Sequence, residues 1–337
     1  MADTTAMLVL TRRDVEALLD LDALIGALAP AMADLSAGRA SAPDRVAVLV
    51  PGQDALLAAM PGYLPSAGVL MTKLVSLFPG NAGSALPTHQ AVIAVFDPGT
   101  GAPAALLDGT SITTARTGAC SALSARLLAR DDATVLAILG TGEQARSHAR
   151  AMCRVRPIRQ IRVAGRNPAR AADLAAGLAA ELAVAAQAVP SYREALDGAD
   201  IACAVSHAAE PVIRYAWLSP GVHITSVGFN PAGREIDDAT IAAALVCVES
   251  RQAALAPFPA GSNDLLIPIR EGVITAGHIH AELGELVTGQ KPGRGSREQI
   301  TLYKSVGLAV QDAAAAALVI AAARERGAGQ QIDLSPP

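Results

Sequence analysis

Apolar residues change their spacing along this chain, and each change marks a different kind of element. Between 10 and 36 they recur at three- and four-residue steps: Val15, Leu18 and Leu19, then Leu24, Ile25, Leu28 and Met32. That spacing predicts two short helices, the first capped by Thr11 with Asp14 at its third position. From 43 to 107 the apolar positions form short runs, Val46–Val50, Leu56–Met60, Val69–Leu77 and Ala91–Phe96. Pro-Gly, Asn81 with Gly83, and Asp97-Pro-Gly interrupt them, which predicts a meander of strands. Helical spacing returns over Ser111–Arg130 and runs into a strand at Ala133–Leu139. Further strands at Ile158–Ala164, Ile201–Val205, Val222–Val227 and Leu245–Glu249 alternate with helices. One of these helices, Pro168–Leu182, has Pro in its first turn, and another opens on the capping signature Ser191-Tyr-Arg-Glu194. After the glycine-rich break Lys291–Gly295, a long apolar helix is predicted from Ser305 to about Arg326.

Alternation of strand and helix specifies a parallel, doubly wound sheet, because each parallel return needs a crossover helix. The predicted fold is therefore α/β: a Rossmann-type dinucleotide-binding domain over 123–304, inserted in a second, α+β domain made of 1–122 plus 305–330. No internal repeat or low-complexity tract interrupts this scheme.

Composition narrows the class. Of the 337 residues 51% are hydrophobic and only 3% aromatic, so Ala, Val, Ile and Leu must build the cores, as suits helices on a parallel sheet. The net charge of −4 gives no reason to expect a nucleic-acid partner. No apolar run reaches the ~18 residues that span a bilayer, and no signal peptide is read at the start, so a cytoplasmic protein without a membrane partner is expected. Cys120, Cys153, Cys203 and Cys247 are too scattered for zinc or a disulfide framework; four buried thiols and no metal are expected.

The most informative segment is Gly140-Thr-Gly142-Glu143-Gln144-Ala145, directly after an apolar strand. It fits the G-x-G-x-x-A turn that brings backbone and a helix N-terminus up to a pyrophosphate. The next strand ends in Gly165-Arg166-Asn167, where an NAD-binding unit would place an acid for the ribose hydroxyl. Arg166 suits a 2′-phosphate instead, which points to NADPH. Three cations stand in otherwise uncharged stretches: Arg45, Lys73 and Arg116. Lys73 either faces solvent on a half-exposed strand or belongs to an anion site, where guanidiniums fork a carboxylate and an ammonium donates a proton. His89 and the pair His278 and His280 read as structural, and Asp264 and Glu271 as loop and cap residues.

Arg45, the Lys73 strand, Ala105–Ala119, Gly140–Ala145, Val227–Asp237 and Ile300–Asp312, in that order, resemble the ornithine cyclodeaminase/mu-crystallin family over nearly the whole chain. The resemblance implies a homodimer whose dimerisation and substrate domain is built from both chain ends, with a Rossmann domain between. Members include ornithine cyclodeaminases, alanine dehydrogenases, and ketimine or Δ1-pyrroline-2-carboxylate reductases. Carried over by motif, Arg45, Lys73 and Arg116 would meet the substrate's carboxylate and its imine or amine, and Val306 would touch the substrate. Thr88, Glu143, Gln144 and Ser206 would line the cofactor, with Ser305 near the nicotinamide; Gly140, Gly142, Arg166, Asn167 and Val227 complete the expected cofactor set. One position departs from the pattern. Counted back from Pro231 and Glu235, the cyclodeaminases' catalytic Asp is replaced by Phe229, with Asn230 beside it. Without that carboxylate the resemblance implies an NADPH-dependent reductase of small cyclic 2-imino acids, with Phe229 against the substrate. The alternatives are an ornithine/lysine cyclodeaminase or alanine dehydrogenase, and a non-catalytic protein that binds NADPH and a small ligand.

Overall fold

The structure, a computed structural model, describes residues 6–334. In chain order it begins β1 (Ala6–Leu10), α1 (Arg12–Leu18), α2 (Leu21–Ser36), β2 (Val46–Val50), β3 (Ala55–Leu64), β4 (Val69–Leu77), β5 (His89–Phe96), β6 (Pro103–Asp108) and α3 (Gly109–Leu128). Strand and helix then alternate: β7 (Val135–Leu139), α4 (Glu143–Val155), β8 (Gln160–Ala164), α5 (Pro168–Leu182), β9 (Ala185–Ala188), α6 (Tyr192–Leu196) and β10 (Ile201–Ala204). Next come β11 (His223–Ser226), α7 (Asp238–Ala243), β12 (Leu245–Val248), α8 (Arg251–Leu255), α9 (Asn263–Arg270), β13 (Ile279–Glu282), α10 (Leu283–Val287) and β14 (Thr301–Lys304). After these stand α11 (Ala309–Arg326) and β15 (Gln330–Asp333). Two compact units result: Met1–Arg116 with Leu308–Pro337, here unit 1, and Thr117–Gly307, unit 2.

Unit 1 is a sheet in the order β15-β1-β6-β5-β4-β3-β2. From β2 to β6 it is an antiparallel meander, and β1 pairs parallel with β6. Its strands alternate. On β4, Val69, Met71, Lys73 and Val75 are buried, whereas Leu70 and Leu74 are exposed. The buried side packs against α11, which also packs on α2. Contact there is close: a Cβ at Gly62 would stand 2.7 Å from that of Ala309, so only glycine fits. On the other side Val46, Ala59, Leu74 and Val92 lie in register across four strands, and Val46, Leu74 and Val92 are 67, 38 and 44% exposed.

Unit 2 is a fully parallel sheet in the order β13-β12-β14-β11-β10-β7-β8-β9. Its central strands are buried on both faces, so they read as continuous apolar runs rather than alternating ones. This is the doubly wound α/β fold that the strand–helix alternation predicts.

Several boundaries differ from expectation for local reasons. The last helix starts at Ala309 rather than Ser305, and before it Thr301–Lys304 forms an unexpected strand between β11 and β12. Two of its four residues are polar, which hid it. Thr11 forms the full capping box with Asp14, whereas Ser191 caps α6 through its own hydroxyl without the reciprocal backbone bond. Three of the four thiols are buried; Cys153 is half-buried. Among the described residues no helix is long and apolar enough to cross a membrane, and no cluster of His, Cys, Asp and Glu could hold a metal.

Candidate functional site

In unit 1 the chemistry gathers around one carboxylate. Asp312 sits in the first turn of α11, where a negative charge complements the helix dipole. Its side chain is fully buried, with Oδ2 2.6 Å from Lys73 Nζ on β4 and Oδ1 3.0 Å from Arg116 Nε on α3. Arg116 also donates through Nη1 to Gln311 Oε1 at 2.9 Å, and Lys73 Nζ reaches Thr113 Oγ1 at 3.3 Å. Lys73 is 1% exposed and Arg116 5% exposed, so Lys73 points into the protein and not to solvent. Alternation along β4 puts it there: it shares the buried side with Met71 and Val75.

Lys73 carries its charge under strong opposition. Burial pulls the ammonium down, Asp312 pulls it back up, and Arg116 and Arg45 oppose it further, so that it titrates near 7. Burial alone would raise the carboxyl of Asp312, but Lys73 and Arg116 outweigh this and hold it below the usual carboxylate range. Arg45, half-buried before β2, contributes its field to the same cluster. His89, structural by its sequence setting, stands in the same field. Burial and then Lys73 and Arg116 bring it down to about 4, so it is neutral at physiological pH. Three cations and one buried anion leave a net positive site, suited to a carboxylate. The structure thus brings Arg45, Lys73 and Arg116 together. Sequence reasoning missed Asp312, Gln311 and His89; a buried lysine that needs a partner was the one signal available. Thr88, assigned to the cofactor from sequence, is exposed in the loop before β5.

In unit 2 the glycine turn lies between β7 and α4. Gly140 has φ +144°, and a Cβ there would stand 2.6 Å from the carbonyl oxygen of Val205. Gly142 is the N-cap of α4, and a Cβ there would meet nothing within 4 Å. A strained glycine followed by open space at a helix N-terminus is the shape a pyrophosphate requires. Glu143 is exposed in the first turn, and the buried Oε1 of Gln144 has no hydrogen-bond partner. Arg166 is exposed at the end of β8, beside Asn167, whose side chain caps α5 by accepting from the Arg170 N–H. These residues fit a dinucleotide.

The other expected cofactor residues lie beyond the C-terminal ends of β10, β11 and β14, the edge where ligands bind in such sheets. Ser206 donates from both N–H and hydroxyl to Glu235 Oε1 at 2.7 Å, and the Val227 N–H bonds to the Ala204 carbonyl. Ser305 Oγ donates to the fully buried Glu249, which also accepts from the N–H groups of Val306 and Gly307 at 3.2 Å. Phe229 stacks on Phe258 with ring centroids 6.1 Å apart, and both line a pocket with Pro231, Gly261, Asn263 and Leu266. The Asn263 Nδ2 group donates to the carbonyls of Asn230, Pro231 and Gly233, and most of the other residues that line the pocket are apolar. Asp264, read from sequence as a loop residue, is buried and pairs with Lys304 at 2.9 Å.

Comparison with known proteins gives the family. The profile of the ornithine cyclodeaminase/mu-crystallin family matches residues 5–327. The chain is 36% identical to a Δ1-pyrroline-2-carboxylate reductase of Bacillus cereus over 97% of its own length and 100% of that protein. It is 37% identical to the ketimine reductase mu-crystallin of Mus musculus, over 88% of this chain and 90% of that one. Among solved structures, the Δ1-pyrroline-2-carboxylate reductase of Thermococcus litoralis, in complex with NADH and L-proline, superposes with a TM-score of 0.93 at 40% identity. That match covers 97% of this chain and 100% of the other.

Proposed function

Because the chain belongs to the ornithine cyclodeaminase/mu-crystallin family, we propose that it is a nicotinamide-dependent reductase of small cyclic 2-imino acids. Δ1-Pyrroline-2-carboxylate and Δ1-piperideine-2-carboxylate are the proposed substrates, giving proline and pipecolate. The observation that carries this reading is the buried Lys73–Asp312–Arg116 cluster: a positively charged site with an ammonium poised near neutral pH. The 36–40% identity to proteins that reduce such imines supports it.

Each residue has a part in this chemistry. Arg116 and Arg45 take the substrate carboxylate and so fix the ring. Lys73, in its ammonium form, donates a proton to the imine nitrogen, which makes the neighbouring carbon electrophilic, and is left neutral. Asp312 holds Lys73 and Arg116 in that geometry. The nicotinamide, when bound, supplies the hydride that the imine carbon accepts; one proton and one hydride convert C=N into CH–NH. In unit 2 the Gly140–Gln144 turn takes the pyrophosphate. Arg166 takes a 2′-phosphate, which makes NADPH the preferred donor. Phe229 replaces a carboxylate with an apolar wall, which favours a neutral ring over a second amino group.

The exposed row of Val46, Leu74 and Val92 belongs to this reading as well. An exposed apolar sheet face of this kind suits a second copy, giving a homodimer. The activity is tested directly. Purified protein is incubated with NADPH or NADH and a panel of cyclic imino acids, absorbance at the nicotinamide band is followed, and ammonia is assayed in parallel. Cofactor consumption without ammonia release supports the proposal; ammonia formed from ornithine or lysine overturns it.

A further inference from the structure

Three buried charged groups of unit 2 play no part in the catalysis proposed above. They are Glu235, Asp264 and Lys304, which are 2%, 3% and 1% exposed. They form one connected network. Glu235 Oε1 accepts from the Ser206 N–H and hydroxyl, both at 2.7 Å, and its Oε2 from Ser226 Oγ at 2.8 Å and the Gly228 N–H at 2.9 Å. Asp264 Oδ1 accepts from the Glu235 and Ile236 N–H groups at 2.8 and 3.0 Å, while its Oδ2 pairs with Lys304. Lys304 Nζ donates in turn to Ser226 Oγ at 2.9 Å and to the Gly228 carbonyl at 2.8 Å. The fit at Gly228 is tight: a Cβ there would stand 2.3 Å from the Glu235 carboxyl carbon.

The placement of these bonds in the sheet gives them a meaning. The glycine turn follows β7 and Arg166 follows β8, while β10 and β11 lie on the other side of β7. A dinucleotide with its pyrophosphate on the β7 turn and its adenosine ribose at Arg166 must therefore extend its nicotinamide half over the ends of β10 and β11. Those are the two strand ends that the Glu235 carboxylate ties together.

We propose that Glu235 is a positioning residue that sets the spacing of the Ser206 and Gly228 loops and thereby orients the nicotinamide half of the cofactor, leaving the adenine half unaffected. The proposal rests on the reading that unit 2 holds a nicotinamide dinucleotide. In Glu235→Gln one oxygen becomes an NH2 group that faces N–H and O–H donors, so one side of the bridge opens.

Calorimetric titration separates the two halves. NADPH is compared with 2′-phospho-ADP-ribose, which lacks the nicotinamide, and NADH with ADP-ribose in parallel, on the unmutated protein, Glu235→Gln and Ser226→Ala. Loss of hydrogen bonds to a charged group predicts that Glu235→Gln weakens the whole cofactor about tenfold or more and the fragments by less than about twofold. Ser226→Ala, which leaves the bonds to Ser206 in place, should show the same pattern to a smaller degree, and it decides the matter if Glu235→Gln does not fold. Equal losses for cofactor and fragment, or no loss for either, overturn the positioning role. Failure of the unmutated protein to bind either ligand overturns the dinucleotide reading and the proposal with it.

Discussion

Lys73 Nζ and Asp312 Oδ2 meet at 2.6 Å across 239 positions of sequence, on β4 and α11, and neither is accessible to solvent. This contact makes the rest of the site possible, since an ammonium so buried would otherwise give up its proton. Its pH behaviour follows. If Lys73 is the proton donor, kcat is high below about 7 and falls as pH rises through that value. Asp312 raises the Lys73 pKa, so Asp312→Asn should move the falling limb to lower pH by about one to three pH units. Asp312→Glu should restore part of the shift. A profile that Asp312→Asn leaves in place would show that another group donates the proton. The stability effect has the opposite direction. The Lys73 pKa is depressed from 10.5 to about 7 on folding, so its contribution is complete above 10.5 and is lost as pH falls to about 7. Denaturant titrations across that window should show stability rising with pH, and Lys73→Met should flatten the rise.

The proposed carboxylate clamp has two unequal arms. Arg116 is buried and bonded to Asp312, whereas Arg45 is half-buried at a strand start. Burial gives Arg116 a part in folding as well as in binding. Arg116→Ala should raise the Michaelis constant for imino acids strongly and also destabilise the protein, by less than the about 3 to 5 kcal/mol typical of an uncompensated buried charge, because Lys73 still faces Asp312. Arg45→Ala should raise the Michaelis constant with little change in melting temperature. Equal reduction of a cyclic imine lacking a carboxylate would refute the clamp.

Cofactor choice tests Arg166. It stands exposed at the end of β8, where a 2′-phosphate would lie. NADPH should bind better than NADH, and Arg166→Asp should weaken NADPH by about 1.5 to 3 kcal/mol, the range for a charged hydrogen bond. Equal Michaelis constants for the two cofactors in the unmutated protein would remove Arg166 from this role. The Thermococcus litoralis relative is a complex with NADH, which makes this measurement informative in either direction.

The apolar sheet face makes a prediction of its own. Leu74→Glu places a charge in the middle of the row Val46, Leu74 and Val92, on the side opposite Lys73. If a second copy covers that row, the substitution should shift the protein from dimer to monomer in analytical ultracentrifugation. A monomeric unmutated protein would refute the homodimer.

How much of this could be read from sequence depends on the range of the interaction involved. The capping box at Thr11, the strand Val69–Leu77 and the helix Pro168–Leu182 are encoded by neighbours, and their limits were legible. The glycine turn was legible too, because its spacing is local. Asp312 was not: it lies in an Ala-rich helix, and only the fold brings it to Lys73. Glu235, Asp264 and Lys304 escaped for a similar reason. Each looks like an ordinary surface charge until the ends of β10, β11 and β14 come together around them. Lys73 shows the limit from the other side. Strand alternation fixes which side of β4 it occupies, but sequence alone could not say which side is buried.

The proposed role of Phe229 separates the reductase and deaminase readings. Phe229 stacks on Phe258 in a pocket bounded by Pro231, Leu266 and Asn263, whose Nδ2 group donates to three carbonyls. A second ammonium would find no carboxylate partner among the residues that line this pocket. The protein should therefore release no ammonia from ornithine or lysine. Phe229→Asp would supply a carboxylate, but the stack on Phe258 would be lost. The substitution should thus bind a diamino acid weakly at best while impairing reduction of the cyclic imine. Asn230 is already committed, its amide donating to the His207 carbonyl and its oxygen accepting from the Ala232 N–H, so it cannot take the part of the missing acid. Rapid ornithine cyclisation by the unmutated protein would return the chain to the deaminase branch and leave the apolar pocket without a role.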